Sequence, residues 1–216
     1  GPNMDRYFKP FMQTVHDDIQ VMWTGHATMS NVSKEVFEWP KVQTGVDKDV
    51  AVWWNYPVND YCDSRILMAP LHNLNQDLDN VSGFFSNPMN QAEASKVALY
   101  SIADYTWNTD AFDYMKSWET SIEKFVPEVK EEFMRFASNT CYLKDDGGAS
   151  GPFEYDESWY LSEKIDTLKE TIQNGQSAVK PANDLLAEFK LIVSDYANIT
   201  SKVKNKNLLD EIEQHL

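Results

Sequence analysis

The sequence predicts two structural classes in one chain: α/β over residues 1–108, then all-α over residues 109–216. Three observations carry this. Short apolar runs ending in Gly, Pro, Asn or Asp alternate with helical segments in the first half, which is the β/α alternation of a parallel sheet. From Asp110 onward apolar residues recur at three- and four-residue steps, with no strand candidate between them, the pattern of an antiparallel helical bundle. The run Val50–Asp60, VAVWWNYPVND, is apolar and aromatic in its interior and then turns polar. It reads as a strand buried on both faces.

Taken in order, Phe8, Phe11, Met12 and Val15 stand at helical spacing and predict a short amphipathic helix over Tyr7–Val15. Ile19–Trp23 is a strand closed by the turn Thr24-Gly25. Ser33–Gly45 carries Val36, Phe37 and Val42 but contains Pro40, which predicts a short or broken helix. After the Val50–Asn55 strand, Arg65–Leu71 (RILMAPL) is a third apolar run ending at Pro70, and Gly83–Ser86 a fourth, closed by Asn87-Pro88. Asn90 with Glu93 three residues on has capping-box spacing for a helix reaching about Trp107.

In the second half, Phe112, Met115, Trp118, Ile122 and Phe125 mark a helix that Pro127 ends, and Val129, Phe133 and Phe136 a second. Lys144–Pro152 (KDDGGASGP) is a loop. Three helical stretches follow: Trp159–Ile172, a segment with Pro181 in its first turn running through Leu185, Phe189, Ile192 and Tyr196, and Val203–Leu216.

Composition removes several function classes. The 216 residues are 42% hydrophobic and 13% aromatic, enough for a real core, and carry a net charge of −15. Nucleic-acid binding needs clustered Lys and Arg, and anionic membranes repel so acidic a chain. No apolar run is long enough to span a bilayer. Cys62 and Cys141 lack zinc spacing, and a disulfide between them is left open. His16, His26, His72 and His215 show no ligand spacing, so neither a metal nor a cofactor is expected. The Gly-Pro start without a leader predicts a processed or excised piece.

Polar residues just past parallel strands are where α/β folds place their ligands. The candidates are Thr24 and His26, Asn55 and Asp60, His72 and Asn73, and Asn87. Each alone also fits a turn or helix cap. Two tryptophans beside an amide and a carboxylate suit a sugar, with aromatic faces for C–H surfaces and polar groups for hydroxyls; a core strand followed by an ordinary Pro-containing loop fits the same residues. The carboxylate pair Asp17-Asp18 suggests glycosidase work, but it precedes its strand, on the stability side of a barrel, and reads as a solvated turn. Asp145-Asp146 reads the same way.

VMWTG at 21–25, AVWWNYPVNDY at 51–61, LMAPLHNL at 67–74, FFSNPMNQAEASK at 84–96 and ADYTWN at 103–108 together resemble glycoside hydrolase family 84, the O-GlcNAcase-type β-N-acetylglucosaminidases, most closely the clostridial secreted members. The resemblance implies that residues 1–108 are the C-terminal half of a (β/α)8 TIM barrel and 109–216 a helical bundle domain. It implies a retaining hydrolase of terminal β-linked N-acetylglucosamine, assisted by the substrate's 2-acetamido group, acting on a glycan or glycoprotein outside the cell or at its surface. Within it, Trp53 would wall the pocket, Asn55 would face the acetamido region, and Asp60 with Asn87 would bind the 4- and 6-hydroxyl end of the sugar.

The family's catalytic Asp pair, a sugar-binding Lys and an acetamido-orienting Tyr have no counterpart here; Asp17-Asp18 does not match the pair, and the helical-domain Trp of some relatives is not transferred to Trp159. The resemblance therefore implies no catalytic residue in this chain. It implies instead a sugar-recognition half that is inactive alone, with the N-terminal half of the barrel as its partner. A non-catalytic carbohydrate-binding or protein-interaction fragment, and a helical protein-binding scaffold over 109–216, are the alternative readings.

Overall fold

The structure is a computed structural model and describes residues 3–143 and 155–215. The sheet has three parallel strands in the order β1 (Met22–Trp23), β2 (Ala51–Trp54), β3 (Phe84–Ser86). Met22 lies opposite Ala51, and Val52, Trp53 and Trp54 lie opposite Phe84, Phe85 and Ser86. Parallel neighbours need crossovers. The first is α2 (Lys34–Thr44), after a short α1 (Lys9–Thr14) that continues a π-helical turn over Met4–Phe8.

The helix α2 runs through Pro40 without a break, contrary to the sequence expectation. The Ser33 hydroxyl accepts from Val36 N, Thr44 Oγ1 donates to the Pro40 carbonyl at 2.7 Å, and Gly45 closes the helix at φ 70° with its N–H on Lys41 O. The left-handed C′ position suits glycine because it carries no Cβ.

Two sheet expectations are corrected. Arg65–Leu71 is no strand. Ile66, Leu67, Met68, Ala69 and Leu71 are buried, but their amides are taken by side chains and local turns: Leu67 N donates to Met89 Sδ, Ala69 N to Tyr56 Oη, and Met68 N to Ile66 O. Apolar content marked the run as interior, yet an interior segment needs partners for its amides rather than a ladder. Nor is β2 buried on both faces. Val52 and Trp54 face the core, whereas Trp53 is 40% and Phe85 47% exposed on the opposite side.

The helix α3 spans Ala92–Trp107 and buries the small face Ala94, Ser95, Val97, Ala98 and Ser101. Its cap is not Asn90. The Glu211 carboxylate accepts from Glu93 N and Ala94 N, while Glu93 pairs with Lys96 and accepts from Asn205. A carboxylate at a helix N-terminus meets both the free N–H groups and the positive end of the dipole.

Helices α4 (Tyr114–Phe125) and α5 (Lys130–Asn139) follow, Asp113 capping α4 through Lys116 N. Trp118 of α4 donates its indole N–H to Met68 O at 2.7 Å, so the helical part supports the irregular run. Then come α6 (Ser162–Gln173), α7 (Val179–Lys202) and α8 (Lys206–Ile212), the last continued by a 3-10 turn to His215. The Arg135 guanidinium of α5 grips Asp195 of α7 with two hydrogen bonds of 2.7 and 2.8 Å. One apolar core runs from Met12 to Ile212. The expected loop Lys144–Pro152, with Asp145-Asp146, lies outside the described residues except for its flanks, where Leu143 and Tyr155 form an antiparallel bridge. Among the described residues no helix is long and apolar enough to cross a membrane.

Candidate functional site

Three of the four residues singled out from the sequence converge at the C-terminal ends of β2 and β3. Asn55 is the hub. Its Oδ1 accepts from Trp53 Nε1 at 2.8 Å and from Asn87 Nδ2 at 3.2 Å, and its own Nδ2 donates to the Thr28 carbonyl at 2.8 Å. Trp53 and Asn55 meet because alternate residues of an extended segment share a face. Asn87 arrives because the ladder continues beyond the strands: its N–H donates to Trp54 O, and Val58 N donates to Asn87 O.

Asp60 stands exposed on the same loop and makes no hydrogen bond or ion pair among the described residues. The loop is shaped by Asn59, which is buried and donates to Arg65 O at 2.8 Å and to Gln91 Oε1. Next to Asp60, Tyr61 reaches Met29 Sδ at 3.6 Å, and burial raises its phenol pKa. A carboxylate without a protein partner keeps its acceptor capacity for a ligand's hydroxyls.

The segment after β1 completes the rim. Gly25 sits at φ 93°, and a Cβ there would run into the Ser30 side chain. Ser30 Oγ accepts from Ala27 N, and Ser30 O accepts from the buried Trp54 indole at 3.1 Å. These contacts place the Thr28 carbonyl that holds Asn55. This part of the site was missed from the sequence, because a backbone carbonyl carries no residue-type signal; Gly25 and Ser30 were its only trace.

The other candidates lie apart. His26 is exposed and stands edge-on to Trp23 and Trp39, at 5.4 and 5.1 Å. Thr24 is half-buried beside it. His72 packs edge-on against Tyr155 at 4.8 Å, and the resulting desolvation lowers its imidazole pKa. Asn73 is buried, donating to Asn31 Oδ1 at 2.7 Å. Asp17 and Asp18 are solvent-exposed, with Lys48 bound to the Asp17 carbonyl.

Both cysteines are free thiols, and burial raises both pKa values, that of Cys141 to about 12. Neither is an activated nucleophile. Among the described residues no group of three His, Cys, Asp or Glu could hold a metal. The assembled groups are therefore an aromatic ring and two amides, with the Asp60 carboxylate exposed on the adjoining loop; groups of this kind can meet hydroxyls and C–H faces.

Residues 1–138 match the family described as NAGidase, β-N-acetylglucosaminidase. The solved structure of CpGH84D is 30% identical with a TM-score of 0.85, over 99% of this chain and 35% of that one. CpGH84B is 33% identical, with a TM-score of 0.84, over 97% of this chain and 36% of that one. A mutant O-GlcNAc hydrolase of Thermobaculum terrenum shares the fold at 21% identity and TM-score 0.80, over 96% and 43%. The chain thus spans 35 to 43% of the length of these relatives.

Proposed function

Since this chain belongs to the β-N-acetylglucosaminidase family of glycosidases, glycoside hydrolase family 84, we propose that it supplies the sugar-recognition part of an enzyme that removes terminal β-linked N-acetylglucosamine from a glycan or glycoprotein. In this reading residues 1–108 are the C-terminal half of a (β/α)8 barrel and residues 109–216 a helical bundle domain. The remaining polypeptide contributes the other barrel strands and the catalytic Asp pair, and the enzyme works outside the cell or at its surface. The parallel strands with polar groups beyond their C-terminal ends support this placement.

The observation that carries the reading is the Asn55 hub. Its Oδ1 already accepts two hydrogen bonds and one of the two N–H groups of its Nδ2 is committed to Thr28, so its main role toward a sugar is to hold two neighbours. It fixes the Trp53 ring as an aromatic wall and turns Asn87 toward the rim. Asp60 then takes the 4- and 6-hydroxyls. A carboxylate bound to two hydroxyls is a strong selector, because a sugar lacking them leaves its charge desolvated and unpaired. The nucleophile in this scheme is the substrate's own acetamido oxygen, so the chain needs no nucleophilic side chain.

The test is hydrolysis of a chromogenic N-acetyl-β-D-glucosaminide by the complete enzyme. Asp60→Ala is expected to lower kcat/KM by about one to three orders of magnitude, on the scale of a lost charge-assisted contact. The 4-deoxy substrate should show much less of that loss, since it lacks one of the donors. Near-wild-type turnover by Asp60→Ala would remove Asp60 from the site.

A further inference from the structure

The loop that carries Asp60 contains no fully buried residue from Asp60 to Arg65. Polar ties therefore decide where it stands. Three of them close the loop on itself: Asn59 Nδ2 donates to Arg65 O at 2.8 Å, Cys62 N to Asn59 O, and Arg65 N to Cys62 O. Asp60 and Arg65 thus belong to one small hydrogen-bonded unit.

The Arg65 side chain leaves that unit and is held by residues that follow α5. Its Nη1 donates to Glu157 Oε1 at 2.8 Å, and its guanidinium lies over the Tyr142 ring, 5.6 Å from the centroid. Glu157 Oε1 also accepts from Tyr142 N at 3.4 Å, so acid and ring form one holder. The Arg65 side chain is 37% exposed and that of Glu157 28%. A planar guanidinium gripped at its edge by a carboxylate and on its face by a ring is confined in orientation. Arg65 is also the only Lys or Arg between Lys48 and Lys96.

The holder is anchored in turn. Ser158, next to Glu157, stands at φ 53°, a left-handed conformation that costs a non-glycine residue energy. It persists because α5 fixes it: Ser158 N donates to Ser138 O at 2.8 Å and Ser158 Oγ to Asn139 Oδ1 at 2.7 Å. The direction of Glu157 is thereby set from the end of a helix rather than by its own loop.

We propose that Glu157 is a positioning residue for sugar selection: through Arg65 it holds the Asp60 loop at the height where the carboxylate meets the sugar's hydroxyls. The helical part then sets the selectivity of the site without touching the sugar at this point. The inference rests on the sugar-binding role of Asp60, and its test separates the two.

The experiment measures kcat/KM of the complete enzyme on a chromogenic N-acetyl-β-D-glucosaminide and on its 4-deoxy analogue. The readout is the ratio of the two values. Loss of folded protein cancels in that ratio, so a merely structural role for Glu157 would leave it unchanged. Glu157→Ala and Arg65→Met should each shrink the preference for the hydroxylated sugar by about three- to tenfold, less than Asp60→Ala does, as expected for a carboxylate shifted rather than removed. The double variant should lose no more than either single one, because both cut the same tie. A parent-like ratio in Glu157→Ala or Arg65→Met, with the preference collapsed in Asp60→Ala, overturns this inference and leaves the sugar site standing. Losses that add in the double variant overturn it as well. A parent-like ratio in Asp60→Ala instead removes Asp60 from the site, and the role of Glu157 falls with it. If Glu157→Ala is too unstable to assay, Arg65→Met decides alone.

Discussion

Asn55 shows how a site can be half visible in a sequence. Its residue type and its place after an apolar run announced a ligand-facing amide, and the structure ties it to Trp53 and Asn87. Invisible was that Asn55 spends its own hydrogen bonds on protein, through a carbonyl at Thr28 that no pattern marks. Asn55→Ala should therefore act on its neighbours. It frees the Trp53 indole and the Asn87 amide, and kcat/KM on a chromogenic N-acetylglucosaminide should fall at least tenfold, with a changed tryptophan emission spectrum. Unchanged emission with lost activity would instead mean direct contact with the sugar. His72 was a site candidate by position, yet it packs on Tyr155, and its pKa is lowered by burial, against a backbone hydrogen bond with Pro70 and the charge of Asp156 that raise it. The folded state then prefers neutral imidazole. Its contribution is present above the unfolded value of about 6.5 and is lost as pH falls through the lower folded value. The urea midpoint of His72→Gln should drop less than that of the parent between pH 7.5 and 5.5. His215 shifts in the same direction, so the variant removes only part of the acid sensitivity.

At the level of elements, local rules located helices well and their ends poorly. Trp118, Ile122 and Phe133 fell where periodicity placed them, since an amphipathic helix writes its buried face directly into the chain, whereas Phe112 is buried but extended, ahead of the Asp113 cap. The start of α3 did not, because its cap is a carboxylate 118 residues away, Glu211 on α8. Long-range capping leaves no local trace, and the Asn90–Glu93 spacing was a decoy. Glu211→Ala should destabilise by about 1–2 kcal/mol in urea unfolding, and Glu211→Gln by less, since an amide oxygen keeps an acceptor but loses the charge facing the dipole. The Arg135–Asp195 clamp between α5 and α7 is the stronger test. Asp195 is nearly buried, whereas Arg135 retains some solvent. Asp195→Ala should cost about 2–3 kcal/mol, below the 3–5 of a fully buried broken pair, because the stranded guanidinium can still hydrate. The double change Arg135→Met/Asp195→Leu should recover most of that loss. If it does not, the pair does more than neutralise two charges.

For the molecule as a whole, alternation foretold a parallel sheet but overcounted its strands. Arg65–Leu71 has the apolar content of a strand, and only tertiary context, with Met89 and Tyr56 accepting its amides, decides otherwise. The same tertiary blindness hid the open face of the sheet, where Met22, Trp53 and Phe85 stand in solvent between short edge strands β1 and β3. A face of this kind invites pairing with other polypeptide, and what opposes it is the charge of −15, which keeps copies apart at low ionic strength. Salt removes that protection, since the screening length falls from about 10 Å at 0.1 M to about 3 Å at 1 M, while apolar attraction is undiminished. Light scattering by the chain should therefore rise steeply with sodium chloride. Phe85→Asp, which puts a charge in the centre of the exposed face without touching the core side of β3, should move the onset to higher salt. An onset that Phe85→Asp leaves unchanged would leave the sheet face without a role in association.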